Sequence, residues 1–564
     1  MLKQWIVTLH RKEDLDGFYD DMETPGGNLF IPDRAVELTN RRLISRNTHY
    51  MLDEDEVELI KSDDRVWDVE LEELHGLLTE PAGWSVNNGQ FAKDFNTDSA
   101  DVNWGLLRHT ETSNRSNWGN NGTSLVVDDV TVTSSGKNVD VVIVDGHVDP
   151  LHPEMAVNSD GTGGSRLMQF NWFSLTNAVT GLSNGTYVYD RSGSYSSATD
   201  WSDNDHGAHC AGTVAGNSQG WARDANVYNI SPYGSNPNTL SSSFMWDYIR
   251  QWHNTKPINP VTGRRNPTIT NNSYGSSIKT SNTDAGYVTS APTRVSYRGA
   301  DFNPARELTQ AELQARGFYC PLSNLKMTIP YYTTSRQADQ QDAIDDGIII
   351  VAAAGNSSWK TVNAADQDYN NEYHMTYNGS NLILSSHRGT LSGAGYAPVI
   401  NVGAASYDVN EDKANFSNCG SQVDIYAAGN YIQSSLNWDA FGTTKASTRS
   451  VDPRRTGSYI GKYSGTSMAS PQVAGVLACL AESWPNMTQS EAQAWLINNA
   501  SDGQMADTGT DDPMDRNSLQ GGPNKLLRWI NQREVKGSTF PQKNFRPRPN
   551  SGISYPRTRI RRRG

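Results

Sequence analysis

The feature that most constrains the fold is a set of short apolar runs that recur along the middle of the chain. Residues 139–144 read Val-Asp-Val-Val-Ile-Val, and such a β-branched run is typical of a strand buried on both faces of a parallel sheet. Similar runs follow at 226–230, 268–271, 348–354, 399–402 and 423–426, and helical stretches such as 244–253 and 336–345 separate them. This alternation predicts an α/β fold with a doubly wound, mainly parallel sheet and helices on both faces.

The two ends of the chain have a different character. The first 75 residues contain strand and helix candidates in the order β-α-β-α-β, so residues 1–75 are predicted to form a small α+β domain. Residues 76–135 are rich in Asn, Gly, Ser, Thr and Asp, which indicates a linker together with the start of the region that follows it. The main domain is predicted over 136–535, with surface insertions near 276–330 and 357–396. Residues 536–564 are a basic tail, rich in Pro and Arg, that is too polar to pack and is predicted to be disordered.

The charge of the chain is unevenly distributed. The formal net charge is −14, yet residues 536–564 hold nine Lys or Arg and no acid, so the remaining residues together carry −23. An acidic body repels phosphates, which argues against a main domain that binds nucleic acid. The tail alone could contact nucleic acid or another acidic partner, or it could merely solubilise the chain.

Neither cysteines nor apolar segments indicate a disulfide scaffold or a membrane protein. The four cysteines, at 210, 320, 419 and 479, lack C-x-x-C spacing, so free buried thiols are expected. The longest apolar run, residues 347–355, is too short to cross a membrane. The amino end carries neither the apolar length nor the cleavage site of a signal peptide, which favours a cytoplasmic or virus-associated location over classical secretion.

Three polar residues, each flanked in the sequence by small and apolar residues, have complementary chemical properties. Asp145 follows the first buried run, at the strand end where open parallel sheets carry their functional crevice. A serine hydroxyl needs a base to become a nucleophile, and a histidine needs a carboxylate to orient it. Asp145, His206 and Ser467 could fill these roles.

A fourth polar residue and a helix end complete the candidate site. Gly465 precedes Ser467 and Pro471 suits a first helical turn, so Ser467 is predicted at a helix amino terminus, which favours developing negative charge. Asn356 follows a buried strand, and its amide is a plausible donor to an oxyanion.

These motifs, in this order, resemble those of the subtilases, the subtilisin-like serine proteases of peptidase family S8. The similarity runs from about residue 139 to 500 and includes Val-Ile-Val-Asp145-Gly, His206-Gly-Ala-His-Cys-Ala-Gly-Thr, Asn271-Asn-Ser-Tyr-Gly, Ala352-Ala-Ala-Gly-Asn and Gly465-Thr-Ser-Met-Ala-Ser-Pro. The order Asp, His, Ser is that of subtilisin. The resemblance implies a subtilisin-like fold and a serine endopeptidase that needs no cofactor for catalysis and acts on proteins or peptides.

The resemblance also implies roles for individual residues. Asp145, His206 and Ser467 would form the catalytic triad, with Asn356 and the Ser467 backbone N–H as oxyanion donors. The substrate would add as a strand along Ser273, Tyr274 and Gly275, and the pocket walls would include Ala353, Ala354 and Gly355. Residues 1–75 are similar to an inhibitory propeptide, which implies a zymogen that processes itself. Cys210 is similar to the cysteine of the proteinase K branch.

Several alternatives stay open at this stage. His209 lies in the same motif as His206, but the family pattern assigns the base to His206 and leaves His209 as a packed helix residue. The polar segment 366–372 could hold the structural calcium that subtilases often carry, or it could be a solvated loop. Gly146 and His147 replace the Ser/Thr and Gly that usually follow the aspartate. This departure leaves a second reading, a catalytically silent subtilase fold that serves as a structural or binding protein tethered through its basic tail.

Overall fold

The protein folds into two compact units, Met1–Gly83 and Trp84–Gly564, in the computed structural model. The structure describes residues 3–31, 38–40, 47–71, 84–86, 103–111, 130–168, 170–175, 178–179, 205–231, 245–275, 277–283, 292, 294–302, 308–330, 334–377, 380–389, 398–408, 410–437 and 449–530. The boundary between the units lies a few residues after the expected end of the amino-terminal domain at 75. The basic tail, 536–564, lies outside the described residues.

The amino-terminal unit is an antiparallel sheet with two helices. Its strands are β1 (Lys3–Leu9), β2 (Leu38–Asn40), β3 (Asn47–Leu52) and β4 (Val66–Leu71), in the order β2-β3-β1-β4, and its helices are α1 (Leu15–Glu23) and α2 (Glu54–Lys61). Helix α2 begins where Asp53 accepts from the backbone N–H of Glu56 and Glu56 accepts from that of Asp53, a reciprocal cap that fixes the helix start. This is the predicted α+β domain, with β2 as an additional strand.

The second unit contains the other described strands and helices. In chain order its strands are β5 (Trp84–Val86), β6 (Val130–Val132), β7 (Asp140–Val144), β8 (Leu167–Met168), β9 (Asn226–Ile230), β10 (Thr268–Asn272), β11 (Ser277–Thr280), β12 (Arg294–Tyr297), β13 (Ala300–Phe302), β14 (Met327–Pro330), β15 (Ile349–Ala353), β16 (Glu372–Tyr377), β17 (Ser380–Leu384), β18 (Ile400–Ala405), β19 (Ile425–Ala428), β20 (Ile432–Leu436), β21 (Arg449–Val451), β22 (Tyr459–Tyr463), β23 (Ser501–Asp502) and β24 (Lys525–Leu526). Its helices are α3 (Trp104–Thr110), α4 (His206–Ala215), α5 (Met245–Thr255), α6 (Gln310–Gln314), α7 (Thr334–Asp345), α8 (Thr466–Ser483) and α9 (Gln489–Asn499).

One large sheet organises this unit. Within the described residues its strand order is β23-β24-β19-β18-β15-β10-β7-β9-β8. The strands from β24 to β8 pair in parallel, and only the edge strand β23 runs antiparallel to its neighbour. Strands β7, β10 and β15 are neighbours near the centre, so the residues that follow them meet at one edge of the sheet. The predicted doubly wound, mainly parallel sheet is therefore confirmed.

The β-branched run in β7 is explained by two apolar clusters, one on each face of the sheet. Val141 and Ile143 belong to the cluster that includes α4 and α8, whereas Val142 and Val144 pack with residues of α5 and α7 on the other face. Successive side chains of a strand point to opposite faces, so a strand covered by helices on both sides needs apolar residues throughout. The helices thereby hold the carboxyl ends of the central strands in fixed positions.

Part of the segment expected to be a linker belongs to the core. Helix α3 is buried, and its cap residue Asn103 accepts from Gln472 of α8 at 2.7 Å. Arg108 makes a buried ion pair with Glu411. Residues 103–111 thus belong with the region that follows the linker, and a seven-residue helix is too short to show an apolar period in a sequence dominated by polar residues.

The predicted insertions contain small sheets of their own. Strands β11 and β14 pair antiparallel, and β13-β12-β16-β17 form a second sheet to which both insertions contribute. One apolar cluster, with Phe318, Trp359 and Tyr373 among its members, joins the two segments. The sequence alone showed little periodicity here because these strands are short and separated by turns.

Strand β22 pairs with β20 and β21 in a third sheet, and β5 pairs with β6.

The state of the four cysteines agrees with the expectation from the sequence. Cys210, Cys320, Cys419 and Cys479 are free and buried, as the spacing of the cysteines predicted. A search of the described helices finds no candidate membrane span.

Candidate active site

The carboxyl ends of β7, β10 and β15 carry the predicted site residues. Asp145 directly follows β7, Ser273 directly follows β10, and Asn356 lies three residues beyond the end of β15. Because these strands are parallel neighbours, the three residues reach the same edge of the sheet. The amino ends of α4 and α8 supply His206 and Ser467.

Asp145 and His206 form a hydrogen-bonded pair. Nδ1 of His206 lies 2.8 Å and 2.9 Å from the two carboxylate oxygens of Asp145. The backbone N–H of Gly146 donates to the same carboxylate at 2.7 Å, and Asp145 is only 5% exposed. Gly207 permits this approach, because a Cβ at that position would lie 2.1 Å from the carbonyl oxygen of Gly146.

The environment of His206 shifts its proton equilibrium. Burial of the imidazole lowers its pKa, whereas the contacts with Asp145 and Cys210 raise it, and the pKa of His206 lies above its usual value. The neutral imidazole that a general base requires is therefore reached at a higher pH than in a free histidine. The carboxylate also fixes the tautomer with a proton on Nδ1, which leaves Nε2 as the acceptor.

Ser467 is held by contacts to β10 and α4. Its hydroxyl donates to the carbonyl oxygen of Ser273 at 3.1 Å, and the Ser273 hydroxyl donates to the carbonyl oxygen of Ser467 at 2.8 Å. The thiol of Cys210 donates to the same Ser467 carbonyl at 3.4 Å and lies 4.0 Å from Nδ1 of His206. Cys210 thus connects the histidine and the serine, with its thiol kept neutral because burial raises its pKa.

Asn356 is oriented towards the amino end of α8. Its side-chain oxygen accepts from the backbone N–H and from the hydroxyl of Thr466, both at 2.8 Å. A Cβ at Gly465 would lie 3.4 Å from Nδ2 of Asn356 and 3.6 Å from the backbone nitrogen of Ser467. Two N–H donors therefore border the same small space, and glycine at 465 leaves it open.

The six residues expected to line a substrate groove differ in exposure. Ser273, Ala353 and Ala354 are buried, whereas Gly275 is exposed. Tyr274 is partly buried against the apolar cluster that contains Val142 and Val144. Gly355 has a φ of 109°, a backbone conformation that favours glycine and turns the chain towards Asn356. Because their side chains are buried, Ser273, Ala353 and Ala354 can shape a groove only with their backbone atoms.

His209 has the packed position that the motif comparison favoured. Its Nε2 donates to the carbonyl oxygen of Ile432 at 2.8 Å, and its ring stacks on Tyr463 with centroids 4.8 Å apart. Complete burial lowers the pKa of His209 to about 3, so this imidazole is neutral. It fastens α4 to β20 and β22.

The acidic segment 366–372 does not fit a calcium ion. Its most buried carboxylate, Asp368, accepts from Arg298 at 2.7 Å and from Lys360 at 3.0 Å. Two cationic partners satisfy this carboxylate, so a divalent cation would have to displace them. The solvated-loop alternative is also wrong for Asp368, which is 3% exposed. Elsewhere in the described chain, the one cluster of three metal-ligand side chains is Asp145, His206 and Cys210.

Sequence reasoning missed the residues that hold the site together. Thr466 fixes Asn356, and Ser470 donates to the side-chain oxygen of Asn271 at 2.8 Å. Asn271 in turn donates to the Ser273 hydroxyl at 2.9 Å. Asn271 and Thr466 lie within the motifs quoted above, so a motif search locates them but gives no indication of these contacts.

The fold and the site define an α/β protein in which a carboxylate–imidazole pair and a helix-terminal serine lie beyond the strand ends of a parallel sheet, and the Cys210 thiol contacts both. The family model described as the subtilase family matches residues 136–517, more than half of the chain. The chain belongs to the subtilase family. This membership confirms the resemblance seen in the motifs and the subtilisin-like fold that it implied.

Individual relatives are similar over shorter segments. The subtilisin-like proteinase Spm1 of Pyricularia oryzae is 26% identical over 277 residues, which cover 49% of this chain and 34% of Spm1. Subtilisin E of Bacillus subtilis is 28% identical over 177 residues, covering 31% of this chain and 35% of that protein. Alkaline serine exoprotease A of Vibrio alginolyticus is 29% identical over 155 residues, which cover 26% of this chain and 23% of that protein. The matches thus span about a quarter to a third of these relatives.

A solved structure is also similar. The crystal structure of a cold adapted subtilisin-like serine proteinase matches with a TM-score of 0.42 and 19% identity, over 76% of this chain and 99% of that chain.

The Asp145–His206 pair predicts a specific change in proton affinity. Asp145→Asn keeps the size of the side chain but removes its negative charge, so the pKa of His206 should fall by about one unit or more. Histidine labelled with ¹³C, titrated by NMR and assigned with His206→Ala, measures this value. Asp160→Asn changes an exposed aspartate and serves as the control. An unchanged pKa of His206 in Asp145→Asn would contradict the geometry of the pair.

Proposed function

We propose that this protein is a serine endopeptidase that hydrolyses peptide bonds through an acyl-enzyme. The observation that carries the proposal is the hydrogen bond between Asp145 and His206, beside a serine at the amino end of α8. Membership of the subtilase family supports the same activity. The nucleophile, the base and the oxyanion donors of this reaction are all groups of the chain itself, so the proposed chemistry needs no cofactor.

Each of the three residues has a distinct role in the reaction. As Oγ of Ser467 attacks the substrate carbonyl carbon, Nε2 of His206 takes the hydroxyl proton. The imidazolium then gives that proton to the leaving amine as the C–N bond breaks, which leaves an ester on Ser467. Water then attacks the ester carbon while Nε2 of His206 takes a proton from it; the bond to Oγ breaks, the imidazolium returns the proton to Oγ, and the acid product leaves. Asp145 stays ionised and stabilises the imidazolium throughout.

The developing oxyanion would be stabilised by two N–H donors, Nδ2 of Asn356 and the backbone N–H of Ser467. Their support is the shared space beside Gly465 and the two bonds from Thr466 that orient the Asn356 amide. The amino end of α8 adds a favourable partial charge at the same place. The backbone of Ser273, Tyr274 and Gly275 would pair with an extended substrate, and that of Ala353, Ala354 and Gly355 would form the adjoining wall.

The two ends of the chain have proposed roles as well. Residues 1–75 would act as an inhibitory propeptide that the enzyme removes itself, and the strand–helix order of the amino-terminal unit supports this role. Residues 536–564 would tether the enzyme to nucleic acid or another acidic partner through their positive charges.

The test of the proposed function compares wild type with Ser467→Ala. Wild type should cleave a mixed peptide library and release an amino-terminal fragment from itself, whereas Ser467→Ala should lose about 10⁴-fold or more in turnover and persist as one chain of 62.1 kDa. Mass spectrometry measures both. Ser483→Ala, at the exposed far end of the same helix, is the matched control. A wild type without activity would favour the silent structural or binding protein, and equal cleavage by Ser467→Ala would remove Ser467 as the nucleophile.

Asn356→Ala tests the oxyanion role separately. Loss of one such donor should lower kcat by about 10²–10³, with little change in KM, because the bond forms to charge that exists only in the transition state. Steady-state kinetics on a single peptide measures the effect. Asn363→Ala removes another amide from a neighbouring loop and should leave kcat unchanged. A loss below about threefold in Asn356→Ala would contradict the assignment.

A further inference from the structure

The loop that carries Asn356 also lines a cavity that adjoins the site described above, and we call this part of the lining the floor. The cavity has a volume of about 220 Å³, and Asn356, Ser357 and Ser358 lie along it. One of the insertions supplies a second part of the lining, which we call the insertion wall: Tyr319, Pro321, Leu322, Lys326, Met327 and Thr328. A ligand in this cavity would therefore lie beside the proposed oxyanion donor.

The insertion wall is part of a folded unit rather than a loose loop. Trp359, just after the floor of the cavity, donates through its indole N–H to the carbonyl oxygen of Thr328 at 2.8 Å. The same indole packs edge-on against Phe318, with ring centroids 5.5 Å apart. These contacts fix the distance between the wall and the floor, so the cavity has a defined shape.

Arg516 brings a positive charge to this cavity in a fixed position. Its Nε donates to the carbonyl oxygen of Asn415 at 2.8 Å, and the Ser358 hydroxyl donates to that same oxygen at 2.7 Å. The guanidinium carbon lies 5.6 Å from the ring centroid of Tyr319. The cation is thereby connected to both the floor and the insertion wall.

The charge of Arg516 is not neutralised by a carboxylate of the described chain. The neighbouring Asp515 accepts instead from the hydroxyls of Thr508 and Thr510, at 2.5 Å and 3.0 Å. No acidic residue is among the described residues that line the cavity. A positive cavity in a chain of net charge −14 is a local exception to its surroundings.

We propose that this cavity is a substrate subsite that selects an acidic side chain within two residues of the scissile bond. Arg516 would bind the substrate carboxylate through the guanidinium N–H groups that its contact with Asn415 leaves available, since that contact uses only Nε. The cavity is too small for a folded domain and suits a single side chain. This inference rests on the proposed endopeptidase function and adds its substrate class.

Paired peptides that differ only by Glu or Gln at one position test the proposal. With the full-length protein, one position within two residues of the cleaved bond should show a kcat/KM ratio of about tenfold in favour of Glu, which corresponds to about 1.4 kcal/mol. Arg516→Gln should bring that ratio close to one. Arg516→Lys should restore part of the ratio, and Arg516→Glu should reverse it.

Lys137→Gln is the matched control, because it removes one positive charge from an exposed residue near the start of β7, at the opposite edge of the sheet. Its Glu/Gln ratio should equal that of wild type. A wild-type ratio near one at every position, or a ratio that survives in Arg516→Gln, would overturn the subsite while leaving the peptidase intact. Failure of wild type to cleave either peptide would instead overturn the proposed function, and the subsite with it.

Discussion

The hydrogen bond between Asp145 and His206 is the contact on which the rest of the candidate site depends. A carboxylate that is 5% exposed can orient an imidazole only if both groups are held at hydrogen-bond distance without water between them. The sheet provides one half of this arrangement, because β7 ends directly before Asp145 with helices on both of its faces. Helix α4 provides the other half, and Gly207 lets its first turn reach the backbone of Gly146.

The remaining groups are joined to this pair through short polar contacts rather than through apolar packing. Ser273 and Ser467 exchange hydrogen bonds, and the Cys210 thiol contacts both the serine backbone and the histidine. Such contacts are directional, so they fix atoms more narrowly than the surrounding apolar clusters can. Thr466 orients the Asn356 amide in the same way, through two hydrogen bonds to its side-chain oxygen. The proposed chemistry thus relies on the ends of rigid elements, each oriented by its neighbour.

Much of this arrangement could be predicted from the sequence, because the spacing of apolar residues depends on how each strand or helix is buried. The β-branched run at 139–144 requires burial on both faces, and a polar residue directly after it must lie at the sheet edge. Contacts between segments that are distant in the sequence produce no such pattern of apolar residues. The bond from Arg516 to Asn415, the burial of α3 and the shared sheet of the two insertions depend on tertiary packing. The burial of Asp368 within 366–372 could not be predicted for the same reason, since the cations that neutralise this carboxylate include Arg298 from a different insertion.

The central claim is that Ser467 is a nucleophile activated by His206, and covalent labelling tests it most directly. A serine-directed fluorophosphonate should modify wild type at Ser467, located by tandem mass spectrometry, and the rate of labelling should fall by orders of magnitude in His206→Ala, because the hydroxyl then lacks a base. His374→Ala, which alters a histidine paired with Glu372, should be labelled like wild type. Modification at a different residue, or labelling of Ser467 that is equally fast in His206→Ala, would contradict the account.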